Sequence, residues 1–361
     1  MPNPLEFFIK EKPKSAAEVV SKTVAALQNV ELAKRERKIE RALEKVALNL
    51  GCIKQFLFGD DSREPTKESV MSLAQEACKT ELLSLLVKHL QELEFEARKD
   101  AAQVFGAIVR IRDPENRSPG AAYVEQHYEI IEQLFQGYDD STIALNCGSM
   151  LRDCLRDESL ARKVLSGARF MHLFEEVEVS NFEVASDAFS TFKDLLTRHK
   201  PIVAAFLQEQ YDKFFPAYLK LLQSTNYVTR RQSLKLLGEL LLDRSNVKVM
   251  VRFVSGVQHL MQMMVLLKDP SRSIQFEAFH VFKVFVANPN KPQPIVDILT
   301  NNRDRLLKYL EDFHTEKDED EQFKEEKALI IKEIIMLAPP TPPPAPAAPT
   351  TTTDQQQQQQ Q

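Results

Sequence analysis

Two stretches of sequence decide the fold: NYVTRRQSLKLLGELLLDR at residues 226–244 and SRSIQFEAFHVFKVFVANPNK at residues 271–291. In the first, Ser233 is followed by leucine 4, 7 and 8 positions later. In the second, Ala278 is followed by phenylalanine, phenylalanine and valine at the same offsets. These offsets lie on one face of an α-helix. Each stretch therefore predicts a helix on which a small residue lets a neighbour approach while larger residues fill the contact.

The same template recurs upstream. It is complete after Ala101 and Ala188, and degraded after Gly148, where Arg152 and Arg156 replace the apolar residues at the +4 and +8 positions. The five small residues are 47, 40, 45 and 45 residues apart, and armadillo and HEAT repeats have periods of about 40–47 residues. The pattern predicts an all-α fold of the armadillo/HEAT type, a right-handed α-solenoid.

Composition predicts three parts of the chain. Residues 1–14 are predicted to form a flexible N-terminal arm, and residues 15–337 carry the helical pattern of an armadillo-like repeat domain. From residue 338 the sequence is rich in Pro and Thr and ends in seven Gln. Such a segment cannot bury a core, so residues 338–361 are predicted to be disordered.

Within the repeat domain, single helices are predicted over residues 67–91, 121–136 and 292–311, among others. No helix is predicted between residues 166 and 181 or between 243 and 257. The pair Asp269-Pro270 predicts a helix start, because Asp caps a helix well and Pro is favoured at its first position. The loop RDPENRSPG at 112–120 is the clearest internal break.

Motifs of catalysis and metal binding are missing from the sequence. Gly is scarce (9 of 361 residues), the seven His never fall at paired metal-ligand spacing, and no nucleotide-binding or hydrolase motif occurs. We therefore expect a protein that is not an enzyme and has no cofactor or bound metal. The four Cys show no CxxC spacing and are interpreted as reduced thiols of a cytoplasmic protein.

The charge pattern gives no reason to expect a nucleic-acid or membrane partner. The net charge is −5, and no apolar run approaches the length of a membrane span. The highly charged stretch KRERKIERALEKV at residues 34–46 is interpreted as a solvated helix face, because Glu alternates with Lys and Arg along it.

One surface feature does suggest a binding site. Tyr227, Arg231 and Lys235 are spaced four apart and form a stripe offset from the leucine face. The positions equivalent to Tyr227 and Arg231 are Phe182 and Ser186 one repeat earlier, and Arg272 and Phe276 one repeat later. Aromatic residues beside Arg are typical of peptide-anchoring surfaces. The candidate strip comprises Phe182, Tyr227, Arg231, Lys235, Met264 and Phe276. The alternative is that Phe182 and Phe276 belong to the core and the cations are merely solvated.

Several blocks closely resemble the calcium-binding protein 39 family: SDAFSTFKDLLTRHK (186–200), the two stretches quoted first, ALNCGSMLRDCLR (144–156) and DEDEQFKEEK (318–327). The resemblance covers roughly residues 15–337. Despite the family name, the sequence contains no calcium-binding loop. The chain differs from typical members at the N-terminal arm, in the loop at 112–120 and in the Pro/Gln tail, so contacts made by the chain ends do not follow from the resemblance.

The resemblance implies a scaffold without catalytic activity. Such scaffolds bind sterile-twenty-type kinases and a related pseudokinase adaptor through a concave face, and hold them in the active conformation. They also have a C-terminal pocket for a Trp-x-Phe type peptide of the partner. The positions that match this recognition surface are Phe182, Tyr227, Arg231, Lys235 and Met264. The alternative function is a general helical-repeat adaptor for other peptides, in transport or at the cytoskeleton.

Overall fold

Helices make up almost all of the described structure. The computed structural model describes residues 15–59, 64–314 and 320–337, which contain twenty α-helices and no β-strand. A first pair of helices is followed by six sets of three in chain order. The helices are α1 Ala16–Leu32, α2 Glu36–Phe58; α3 Lys67–Cys78, α4 Leu82–Lys88, α5 Phe95–Arg110; α6 Pro119–Gln126, α7 Glu129–Gln136, α8 Ala144–Cys154; α9 Glu158–Ser166, α10 Arg169–Glu176, α11 Phe182–Thr197; α12 Lys200–Glu209, α13 Tyr211–Leu221, α14 Tyr227–Leu242; α15 Val247–Val254, α16 Val257–Leu266, α17 Arg272–Ala287; α18 Gln293–Asn301, α19 Arg303–Glu311, α20 Glu321–Ile335.

The chain divides into two compact units, Met1–Val251 and Arg252–Gln361. In the first unit, α2, α5, α8, α11 and α14 each pack on the next, and α3, α6, α9 and α12 form a second such row. In the second unit, α17 packs on α16 and α20, while α19 also packs on α20. Consecutive three-helix repeats stacked on their neighbours confirm the all-α, armadillo-like solenoid. The hand of the solenoid stays a prediction.

In the first five sets of three, the third helix carries the repeated template. We call α5, α8, α11, α14 and α17 the third helices. Four of them are 16 residues long, and in each of these four the small residue of the template is the seventh residue. All five small residues are buried: Ala101, Gly148, Ala188, Ser233 and Ala278. The small residues that the sequence pattern predicts to lie at helix contacts are therefore buried in the structure.

A polar network explains the degraded copy of the template on α8. The Arg152 guanidinium donates two hydrogen bonds to the Asp187 carboxylate on α11, at 2.7 and 2.9 Å, and a third to Thr191 Oγ1 at 2.8 Å. The Tyr138 hydroxyl donates to Asp187 Oδ2 at 3.0 Å. Burial and the nearby Asp187 carboxylate raise the pKa of Tyr138 far above its usual value, so the phenol stays protonated and keeps donating. The network thus replaces apolar contacts between α8 and α11.

The structure corrects several predicted helix boundaries. Each of the three long helices predicted over 67–91, 121–136 and 292–311 is two helices separated by a tight turn. Helices α10 and α15 occupy the two intervals in which none was predicted. Helix α17 begins at Arg272 after an N-cap at Ser271, so the predicted start at Pro270 is two residues early. The Asp269 carboxylate accepts a hydrogen bond from the Ser271 backbone amide at 2.8 Å and shapes the turn before the helix.

The predicted arm (1–14) and tail (338–361) lie outside the described residues, and the three-part domain organisation stays a prediction.

Gly148 offers a test of the close approach between α8 and α11. A Cβ atom at this position would overlap Asp187 Oδ2 and lie 2.6 Å from the Tyr138 hydroxyl oxygen. Gly148→Ala is therefore expected to lower the free energy of unfolding by about 1–3 kcal/mol, measured by urea denaturation. The matched control is Gly51→Ala in the middle of α2, where a Cβ would meet nothing within 4 Å. This control should stabilise the protein by about 0.5–1 kcal/mol. Equal effects of the two substitutions would contradict the packing argument.

Candidate functional site

The first four residues of the candidate strip lie on two adjacent third helices of the first unit, α11 and α14. Phe182 and Tyr227 are the first residues of these helices. Each follows an Asn N-cap: Asn181 Oδ1 accepts hydrogen bonds from two amides of α11, and Asn226 Oδ1 does the same on α14. The side-chain cap fixes where each helix starts. The two aromatic rings therefore project from equivalent positions of neighbouring repeats.

Solvent exposure separates Phe182 and Tyr227 from the core. Phe182 is 59% exposed and Tyr227 is 42% exposed. The alternative of a core position therefore does not apply to Phe182. Burial of the exposed part of such a ring by a partner contributes about 1–2 kcal/mol to binding.

Arg231 and Lys235 continue the stripe from Tyr227 along α14, and both are exposed. Among the described residues, neither the Arg231 guanidinium nor the Lys235 ammonium forms an ion pair. Lys193 on α11 differs, because its ammonium lies 2.9 Å from the Glu239 carboxylate. Arg231 and Lys235 are therefore available to carboxylates of a partner.

The remaining two predicted residues belong to the second unit. Met264 on α16 is half-buried, whereas its neighbour Met263 is fully buried. Phe276 on α17 is also half-buried, and its ring lies 5.4 Å from Phe323 and 5.9 Å from His314, measured between ring centroids. Helices α16 and α17 pack on each other. Phe276 thus combines a packing role in an aromatic cluster with partial exposure.

One surface aromatic residue at the same repeat position was missed from the sequence. Phe95 is the first residue of α5, six positions before Ala101, just as Phe182 precedes Ala188. It is 66% exposed, and the Lys99 ammonium lies 4.7 Å from the centre of its ring. Phe95 and Lys99 thus reproduce the aromatic–cation pair of Tyr227 and Arg231. The template itself carried this signal, since the same offsets from Ala101 identify both residues.

Metal-binding and reactive groups are not assembled in the described structure. No three side chains of His, Cys, Asp or Glu within residues 15–59, 64–314 and 320–337 come together as a metal site. Burial raises the pKa of the Cys78 thiol to about 11 and that of Cys147 to about 12. Burial also raises the pKa of Cys154, and Cys52 is buried as well.

Within the same described ranges, no single helix is long and apolar enough to cross a membrane. One pair, Arg244–Val254 with Val257–Leu266, meets that length and composition test only when its two segments are counted together.

Comparisons with known proteins agree along most of the chain. A family model described as Mo25-like matches residues 7–338. The Degreening-related gene dee76 protein of Auxenochlorella protothecoides is 58% identical over 304 residues, which cover 84% of this chain and 94% of that protein. Calcium-binding protein 39-like of Homo sapiens is 50% identical over 296 residues, covering 82% and 88%. A Mo25-like protein of Schizosaccharomyces pombe is 42% identical over 325 residues, covering 90% and 98%.

The reactivity of the four Cys thiols gives a direct check of their burial. A pKa near 11 leaves roughly one Cys78 thiol in a thousand ionised at pH 8, and the thiolate is the reactive form. The native protein is therefore expected to react slowly with Ellman's reagent, whereas all four thiols should react at once in concentrated guanidinium chloride. Cys78→Ala serves as the control, because it removes the half-buried thiol. Rapid labelling of the native protein, with or without Cys78, would contradict the observed burial.

Proposed function

Because the chain belongs to the Mo25-like family, we propose that it is a cytoplasmic, non-catalytic scaffold that binds protein kinases of the sterile-twenty type, or a related pseudokinase adaptor, and activates them allosterically. Membership of the family supports the coarser part of this statement, a helical scaffold protein. The kinase partner follows from the resemblance that the sequence blocks carry.

The observation that carries the proposal is the repeated aromatic–cation pattern on the exposed side of the third helices. Phe182 and Tyr227 are exposed on adjacent helices, and Arg231 and Lys235 extend the same stripe. Exposed aromatic rings beside Arg are the residues that most often supply the binding energy of protein interfaces. Repetition at equivalent positions favours an elongated partner surface that contacts several repeats.

A short peptide of the partner would supply the strongest local contacts. A Trp-x-Phe peptide offers two aromatic side chains and a terminal carboxylate. We assign its recognition to Phe182, Tyr227, Arg231 and Lys235 of the first unit, with the two cations pairing with the carboxylate and with acidic residues of the partner. Met264 and Phe276, which the sequence also assigns to the strip, are half-buried within the second unit and offer polarizable and aromatic surface there.

Such a scaffold activates a kinase when its affinity for the active arrangement exceeds its affinity for the inactive one. A kinase alternates between inactive and active arrangements, and a surface that binds only the active arrangement shifts the population toward it. Moving the equilibrium from about 1% to about 99% active requires roughly a 10⁴-fold preference, or about 5.5 kcal/mol. Only contacts that form with the active arrangement alone contribute to this preference, and aromatic anchors at about 1–2 kcal/mol each, with exposed charge pairs at up to about 1 kcal/mol each, are of the required size.

The first test uses the absence of tryptophan from this chain. A synthetic peptide that ends in Trp-Glu-Phe is then the only tryptophan fluorophore in the mixture. Titration with the protein should shift its emission to shorter wavelength as the indole leaves water. Arg231→Ala should weaken binding about tenfold without changing the melting temperature, because the side chain is exposed. The double substitution with Tyr227→Ala should abolish binding.

Arg244→Ala is the matched control for this titration. Arg244 is also exposed, and it forms no ion pair among the residues that the structure describes. Its substitution should leave the affinity unchanged. An affinity that is insensitive to Arg231 and Tyr227 would remove the strip from the site. No binding of the peptide at high protein concentration would favour the alternative of an adaptor for other peptides.

A second test concerns Phe95. If the partner contacts several repeats of the first unit, Phe95→Ala should weaken binding of a sterile-twenty-type kinase domain about five- to tenfold, measured by calorimetry. The same substitution should not affect the Trp-Glu-Phe peptide, which is too short to contact every repeat. Leu145→Ala on α8 is the control, because Leu145 is also exposed but is not at the aromatic position. Equal losses for both variants would contradict a specific role for Phe95.

A further inference from the structure

The charges at the start of α2 are separated by sign on the helix surface, although they alternate along the sequence. Helix α2 runs without interruption from Glu36 to Phe58, so residues four apart share a stripe. Three glutamates at 36, 40 and 44 form one stripe, and three cations at 37, 41 and 45 form another, with Lys38 beside the cations. Charges that alternate along the sequence are therefore segregated on the surface of this solvated helix face.

This arrangement does not stabilise the helix that carries it. All four charge pairs at i, i+4 between residues 36 and 45 have like sign, which destabilises a helix; opposite charges meet only at i, i+3, at 37/40 and 41/44, and neither of these two forms an ion pair. Cations also lie in the first turn of α2, the end at which the helix dipole favours anions. Among the described residues, none of the six cations between Lys34 and Lys45 forms an ion pair. A local pattern that costs stability is expected where a surface serves a function.

Two cations of this stripe and the adjacent Lys38 border a groove between α1 and α2. Lys38, Arg41 and Lys45 line one side of a cavity of about 400 Å³. The other side is formed by the C-terminal end of α1, where Leu32 is 76% exposed. The remaining lining residues are Ala26, Asn29, Ala33 and Ala42. Three cations thus stand beside a small apolar floor at the first helix pair of the chain.

We propose that this groove binds an acidic, amphipathic segment of a partner protein. Carboxylates of the segment pair with Lys38, Arg41 and Lys45, and one large apolar side chain covers Leu32. The volume of the groove matches that of sites which admit a few side chains. The site is separate from the aromatic strip and does not depend on the proposed kinase partner.

The charges around the groove favour a peptide of a partner protein over other occupants. Residues 1–14 carry three Lys and two Glu, and residues 338–361 carry Asp354 as their one charged residue, so neither of these two segments is acidic. A membrane surface or a nucleic-acid backbone is broad and anionic. Either would meet the glutamate stripe as well as the cations, since the two stripes are about 100° apart on a helix about 10 Å wide. A narrow peptide seated in the groove meets only the cations.

The test is a fluorescence-anisotropy titration of the full chain. The probe is the fluorescein-labelled peptide EELLEEFLEELLEE, and its Lys-for-Glu counterpart is the control peptide. The acidic probe should bind with a dissociation constant of about 10–100 µM, and more weakly in high salt, because exposed charge pairs are screened. The variant Lys38→Glu, Arg41→Glu, Lys45→Glu should lose at least about tenfold in affinity.

A remote charge-reversal variant separates the groove from the charge of the whole chain. Lys213→Glu, Lys220→Glu, Lys248→Glu changes three exposed cations on α13 and α15 and alters the net charge by the same amount. It should bind the acidic probe within about twofold of the unchanged protein. Circular dichroism and the melting temperature of both variants check that they are folded.

Each other result overturns the proposal. Equal losses in both variants would indicate non-specific electrostatics, and no saturable binding would leave the groove without this ligand. A large fall in melting temperature in the groove variant alone, with binding unchanged, would assign the cations to the C-terminal dipole of α1 instead. Groove-dependent flotation with phosphatidylserine vesicles or groove-dependent binding of single-stranded RNA, without peptide binding, would assign the surface to a membrane or to nucleic acid. Groove-dependent self-association in light scattering would assign it to a second copy.

Discussion

The close approach of consecutive third helices in the first unit is the constraint on which the rest of that unit depends. Each third helix has one small buried residue, and in four of the five, large apolar residues follow one and two turns later and are buried as well. At Gly148 the approach is so close that even a methyl group would overlap the carboxylate of Asp187. Because the small residue must lie at the helix contact, it fixes the rotation of its helix and therefore the direction in which every other residue of that helix points.

The exposed strip is a consequence of that register. At roughly 100° per residue, the positions six before, two before and two after the small residue point about 120–200° away from it. Tyr227, Arg231 and Lys235 hold these positions relative to Ser233, so packing of Ser233 directs them outward. The same geometry exposes Phe182 on α11 and Phe95 on α5. An exposed stripe is thus repeated along the first unit because the packing beneath it is repeated.

Buried polar contacts supplement the apolar packing where the template is degraded. The bidentate pair of Arg152 and Asp187 is satisfied by Tyr138 and Thr191 as well, so no charge is left without a partner. Such a pair adds little net stability, because removing two charges from water costs about as much as their attraction returns. Its bidentate geometry is specific, however, and it joins α8 to α11 at a defined position. In the second unit an aromatic cluster performs the packing instead, and Phe276 contributes one ring to it.

The sequence by itself determined the helical class, the repeat period, the register of the third helices and the exposed stripe on α14, because these depend on spacing along one helix. Only the tertiary structure decided where helices end at residues 79–81 and 127–128, since Lys, Thr, Glu, His and Tyr are compatible with a helix and the break is imposed by packing against neighbours. The structure also decided that Phe182 is exposed while Phe276 is half-buried, although both were candidates from the same pattern. Exposure depends on which other helices cover a position, and that information is not carried by the residues nearby in sequence.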